Sequence, residues 1–191
     1  MDTTETNQLL RRIVADNDTR AFSTLYEAMH SSLYRFAITL IKAKEPAEEI
    51  TADVFIRLWQ RRQSIIPDNI RSCRLYLFMC IKNAALNYLR DHRHTATIDL
   101  EQLSLTAWHT GVSPEDLLIT AEIAQQLNRA ISDLPPKCGL IFRLVKEEEL
   151  SYREVAELLD VSAKTVENQI GIALKKIRSA IPYKIPTSSW G

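Results

Sequence analysis

The sequence predicts an all-α protein: two small helical domains joined by a flexible linker, the second ending in a helix-turn-helix. Three observations carry this. Apolar residues recur at helical spacing through most of the chain, and the alternation typical of strands is nearly absent. Only four glycines, Gly111, Gly139, Gly171 and Gly191, occur in 191 residues. The helical period is lost over one internal stretch, residues 95–120, which holds Gly111 and Pro114 and reads as a linker. The expected partition is a first domain over 1–94, the linker, a second domain over 121–182 and a frayed tail over 183–191.

Four helices are expected in the first domain. The first, about residues 5 to 15, carries Leu9, Leu10, Ile13 and Val14. The second, about 18 to 43, sustains a stripe of Phe22, Leu25, Met29, Leu33, Phe36 and Leu40. The third opens at Pro46, a residue suited to a first helical turn, and runs to about Arg62. It turns Ile50, Val54, Leu58 and Trp59 inward and Glu49, Asp53, Arg57 and Gln60 outward. A loop with Pro67, Asp68 and Asn69 precedes the fourth helix, from about Ile70 to His92. The second domain begins near Ala121, breaks at Pro135-Pro136, and continues through Ile141, Phe142 and Val145.

Its end, SYREVAELLDVSAKTVENQIGIALKKIR, is the most informative segment. Ser151 and Glu154 have capping-box spacing, in which each side chain satisfies a free amide at a helix start. The helix then buries Val155, Ala156, Leu158 and Leu159, turns through Asp160 and Val161, and Ser162 caps the next helix. There Val166, Ile170, Ala173 and Ile177 form the inner stripe. Lys164, Asn168, Gly171 and Lys175 face out, flanked by Thr165, Gln169 and Lys176. Such a helix fits a major groove, where lysines meet phosphates or guanine edges and Asn or Gln pairs with adenine.

Charge supports the same direction. Twenty-four basic residues balance twenty-four acidic ones, but in blocks. Arg57 to His94 holds eight Lys/Arg against two acids; Thr95 to Glu122 holds five acids and no Lys/Arg; Lys164 to Lys184 holds five bases against one acid. Local basic segments raise affinity for phosphate whatever the total charge. The fourth helix places Asn83, Asn87 and Arg90 on one face, with Lys82 and Arg93 nearby and Tyr76, Phe78 and Tyr88 interleaved. Cations among aromatics suit single-stranded or melting DNA. Phe78, Leu77 and Ile81 are expected in the core.

Other functions find little support. Cys73, Cys80 and Cys138 have neither disulfide-framework nor zinc spacing, and no metal or other cofactor is expected. No P-loop or Gly-rich phosphate cradle occurs, so no catalytic residue is assigned. There is no 18-residue apolar span, and the polar amino end MDTTETNQ predicts no signal peptide. A cytoplasmic location follows.

Three stretches, in order, resemble the bacterial RNA polymerase sigma-70 family. AEEITADVFIRLWQ (47–60) resembles its polymerase-docking stretch, KNAALNYLR (82–90) its −10-reading and melting helix, and residues 134–178 its −35-reading domain. Two domains with a short linker resemble the extracytoplasmic-function (ECF) subgroup. The resemblance implies a non-catalytic initiation factor that binds core RNA polymerase and promoter DNA and has an anti-sigma partner. It implies polymerase contacts at Glu49 and Asp53, with Arg57 on the same face, and −10 contacts at Lys82, Asn83, Asn87, Arg90 and Arg93. It implies base capture by the loop Ser64 to Asn69 and −35 contacts at Ser162, Lys164, Thr165, Asn168, Gln169, Lys175 and Lys176. Ala52 departs from a frequent Gln, and Asp160 from the usual turn Gly.

Reach agrees with a two-headed reader. Two turns of duplex span about 70 Å, and the 26 linker residues, extended at about 3.3 Å each, reach about 86 Å. The alternatives are a LuxR-type regulator, whose DNA-binding end resembles KTVENQI and the helix before it, an enzyme, or a structural helical adaptor. The first ninety-four residues lack the alternating βα pattern that LuxR-type response regulators attach to that end.

Overall fold

The structure, a computed structural model, describes residues 2–93, 98–101, 103, 105 and 121–180, without the side chains of Arg93 and residues 121–124. Most of the expected linker, and the tail, lie outside these residues. Eight α-helices and no strand occur among the described residues: α1 (Thr3–Asp16), α2 (Thr19–Ile41), α3 (Lys44–Gln60), α4 (Cys73–Arg93), α5 (Ala121–Ser132), α6 (Pro136–Lys146), α7 (Tyr152–Leu159) and α8 (Ala163–Ala180). None is long and apolar enough to cross a membrane.

Local chemistry fixes the boundaries. An Asp2–Glu5 capping box starts α1 two residues ahead of its expected start, and Asn17 closes it in the left-handed region at φ 52°. The Asp18 carboxylate caps α2 by accepting from the Arg20 and Ala21 amides at 2.9 and 3.0 Å. Those bonds, Ala21's first, and Arg12 at 2.6 Å hold its pKa below the ordinary carboxylate range. Helix α3 begins at Lys44, so Pro46 sits third rather than first; its missing amide is still one the first turn leaves unpaired. Helix α4 begins at Cys73 rather than Ile70, because the Ser72 hydroxyl accepts from the Leu75 amide at 3.1 Å. Asn7 of α1 anchors that start, accepting from the Cys73 amide at 2.7 Å and donating to the Arg71 carbonyl at 3.1 Å. Pro136 opens α6 where its fixed φ is pre-organised for a helix.

Helix α2 lies at the centre of the first half, packed on α1, α3 and α4, with Leu25, Met29, Leu33 and Phe36 fully buried. Phe36 meets Phe78 of α4 edge-on, centroids 5.2 Å apart. Truncating a buried ring of this kind costs about 3–5 kcal/mol. In the second half α8 packs on α5, α6 and α7 through Val166, Ile170, Ala173 and Ile177, all buried.

The two halves also touch. Helix α7 packs on α4, and Leu158, Leu159 and Val161 share a cavity of about 350 Å³ with Phe36, Leu40, Lys82 and Leu86. Ile98 and Leu100 of the expected linker line the same space, and Leu103 is buried. Lys137 pairs with Glu101 at 3.2 Å. Glu148, 2% exposed, lies between Arg74 (3.3 Å) and Arg35 (3.5 Å) of the first half.

Candidate nucleic-acid interface

The helix-turn-helix is built by short-range chemistry. Ser151 Oγ accepts from the Glu154 amide at 3.3 Å, and Glu154 Oε2 accepts from the Ser151 amide at 2.8 Å. Helix α7 ends at Asp160, held in the left-handed region at φ 55°, ψ 48°. The Ser162 hydroxyl accepts from the Thr165 amide at 3.0 Å and starts α8. Val155, Ala156, Leu158 and Leu159 are buried, so α7 and α8 cross on the expected apolar faces.

The outer side of α8 exposes Ser162, Lys164, Asn168, Gly171, Lys175 and Lys176. Thr165 and Gln169 are half-buried: the Thr165 hydroxyl is hydrogen-bonded with Ser162 Oγ at 2.8 Å, and the Gln169 carbonyl accepts from the Cys138 thiol at 3.3 Å. Burial pushes the Cys138 pKa up, which keeps that thiol a donor. Lys164 Nζ lies 2.9 Å from Glu167 Oε2, an acidic neighbour on this face. Nothing lies within 4 Å of where a Cβ of Gly171 would stand. Tyr152 and Arg153, at the start of α7, are also exposed.

Helix α4 supplies the second surface. Asn83, Asn87 and Arg90 are exposed and line one shallow depression with Leu86. Lys82 is turned away, half-buried in the cavity between the halves with Asp160. The Arg93 side chain lies outside the described residues. Tyr88 is half-buried and stacks on His92, centroids 4.2 Å apart. Phe78, Leu77 and Ile81 are core residues.

The exposed positions on α3 converge with those on α4. Asp53 and Arg57, an i,i+4 pair at 3.5 Å, line a groove of about 430 Å³ whose other wall is Tyr76, Asn83, Asn87 and Tyr88. Burial first, then Cys80, pushes the Tyr76 phenol up to about 12. Glu49 is exposed but does not line the groove. The loop from Ser64 to Asn69 starts at the end of one short 3-10 turn (Arg62–Ser64) and holds a second (Pro67–Asn69), with Asp68 paired to Arg11 at 2.9 Å and Ile66 left 61% exposed.

The sequence reading passed over Ile56, Ile66, Tyr152 and Glu167. Ile56 is 51% exposed on the outer side of α3, which the inward stripe could have shown. Glu167 lies three residues after Lys164 on the outward face, which the same helical spacing could have shown; nothing local marks Ile66 or Tyr152.

Comparison with known proteins decides the family. Sigma-70 region 2 matches residues 25–95, and Sigma-70 region 4 matches residues 124–177. This chain belongs to the sigma-70 family. Within it the curated relatives are ECF factors. The ECF RNA polymerase sigma factor SigM of Bacillus subtilis is 23% identical over 155 residues, covering 81% of this chain and 91% of SigM. The ECF RNA polymerase sigma-E factor of Escherichia coli is 24% identical over 187 residues, covering 94% of each. The solved structure of CnrH in complex with the cytosolic domain of CnrY shares the fold, with a TM-score of 0.52 and 20% identity over 92% of this chain and 96% of that one. The protein is an ECF sigma factor: it binds core RNA polymerase and directs promoter-specific transcription initiation.

Proposed function

We propose a division of labour among the three surfaces of this sigma factor. Helix α8 reads the −35 element, with Lys164, Thr165, Asn168 and Gln169 toward base edges and Ser162, Lys175 and Lys176 toward phosphates. The polar face of α4, with Asn83, Asn87 and Arg90, reads and melts the −10 element, while Lys82 and Arg93 add positive charge along that helix. Glu49, Asp53 and Arg57 on α3 dock on core polymerase. The functional partition is 1–94 for polymerase and −10 DNA, 95–120 as linker, 121–182 for −35 DNA and 183–191 as tail. The protein performs no chemistry itself, works in the cytoplasm, and is silenced by an anti-sigma partner.

The observation that carries this reading is the doubly capped α7–turn–α8 unit, which buries one face of α8 and leaves its lysines and amide outside. For the anti-sigma partner the support is the kindred fold of CnrH, whose solved structure is a complex with the cytosolic domain of CnrY. The test is reconstituted transcription with core polymerase and a promoter library, with and without this protein. Transcripts sharing a two-element motif support the assignment. Core binding without such a motif overturns the DNA-reading roles.

A further inference from the structure

Lys164, Glu167, Asn168 and Gly171 stand at i, i+3, i+4 and i+7 of α8, and all four are exposed. Glu167 is the one acidic residue in the sequence of this helix. A carboxylate turned toward DNA is repelled by phosphate, which favours its meeting a donor on a base edge with the acceptor sites that Lys164 leaves open. In the major groove the donors are the exocyclic amines of cytosine and adenine. Adenine sets its amine beside the N7 acceptor, whose lone pair opposes a carboxylate. Cytosine carries no acceptor on its own major-groove edge; the acceptor next to its amine is guanine O6, which a neighbouring cation can engage.

The ion pair sharpens the match. Lys164 Nζ and Glu167 Oε2 are 2.9 Å apart, with the two side chains 70% and 58% exposed. A carboxylate offers about four acceptor sites, and the ammonium engages one of its oxygens. The pair therefore presents a cationic donor beside an anionic acceptor. A G·C pair presents the complement: the O6 and N7 acceptors of guanine beside the N4 donor of cytosine. One turn further along, Gly171 has open space where a Cβ would stand. Glycine is disfavoured in a helix interior relative to alanine, and nothing inside the fold requires it here. Its absent side chain lets this face approach another surface closely.

We propose that Lys164 and Glu167 act together to select one G·C base pair in the −35 element, Glu167 accepting from cytosine N4 and Lys164 donating to guanine. This rests on the reading of α8 as the −35 helix. The test compares the full chain with Glu167→Gln and Glu167→Ala, each bound to core polymerase, on promoters randomised across the upstream element. Thermal melting by circular dichroism checks that each variant is folded. The expected result is a change at one base pair only. Glu167→Ala loses about tenfold preference for G·C there, equivalent to about 1.4 kcal/mol. Glu167→Gln shifts the preference toward A·T, because an amide can pair with adenine N6 and N7. An unchanged profile overturns the proposal. So does an equal gain in affinity on every sequence, which is what removal of a repelling charge alone produces. If Lys164→Ala and Asn168→Ala also leave the profile unaltered, the −35 reading of α8 fails with it.

Discussion

Glu148 Oε2 lies 3.3 Å from Arg74 Nη1, joining residues 74 positions apart across the two halves of the protein, with both side chains almost excluded from solvent. Breaking a buried pair by removing one partner costs about 3–5 kcal/mol. Reversal to Glu148→Lys sets a third cation beside Arg74 and Arg35. The expected outcome is a parted pair of halves, seen as a larger radius of gyration in small-angle scattering, with partial recovery in the Arg74→Glu, Glu148→Arg double variant. Unchanged scattering in the single variant would show that the halves hold together without this carboxylate.

Lys164→Ala and Asn168→Ala are each expected to weaken use of the −35 element by about 1–3 kcal/mol where they meet base edges. Transcription from promoters with intact and scrambled upstream elements measures this. Full activity of both variants on the intact element would mean that α8 reads with another face.

Asn83→Ala and Arg90→Ala remove groups from the exposed depression on α4, outside the core. Promoter opening, followed by permanganate reactivity, is expected to fall about fivefold or more, equivalent to about 1 kcal/mol per lost contact. Polymerase affinity is expected to stay the same. Loss of that affinity instead would place the polymerase contact on α4.

Burial pushes the Cys73 thiol from an ordinary value near 9 up to about 12. The unfolded chain therefore loses this proton before the folded one does. Stability is unaffected below pH 9 and declines as pH rises toward 12, by about 1.4 kcal/mol per unit from this group. Urea unfolding at several alkaline pH values measures the slope, and Cys73→Ala is expected to flatten it. Equal slopes in the two proteins would assign the decline to other groups.

Asp160 holds a left-handed conformation at φ 55°. Glycine adopts this region without steric cost and commonly closes helices in this way. Asp160→Gly is expected to stabilise the second half by about 0.5–1 kcal/mol, seen as a higher melting temperature. A lower one would mean that the Asp160 side chain itself supports the turn.

The legible parts were those governed by neighbours in sequence. The Ser151–Glu154 box, the Ser162 cap and the stripe from Val166 to Ile177 each involve residues a few positions apart, and the helix-turn-helix followed from them. Boundaries slipped where a polar residue took a capping role outside the apolar pattern, as at Asp2 and Ser72. The direction of Lys82 was not legible, because α4 faces open solvent on one side and α7 on another. The Arg35–Glu148 contact spans 113 positions, and no local period reports it. Read from sequence alone, the linker held no structure; Leu103 and Leu105 nevertheless pack on the folded chain, Leu105 over Gly139.

That packing sets a limit on geometry. A compact chain of 191 residues has a radius of gyration of about 16 Å, whereas two turns of duplex separate sites by about 70 Å. On the proposed reading, α4 and α8, held in one fold by Glu148 between Arg35 and Arg74, would have to separate to meet both promoter elements. Ile98, Leu100 and Leu103 of the linker pack against the fold, and such a separation would have to release them. Parting also uncovers Phe36, Leu40, Leu158 and Leu159. An extended form would therefore expose an oily seam that water disfavours.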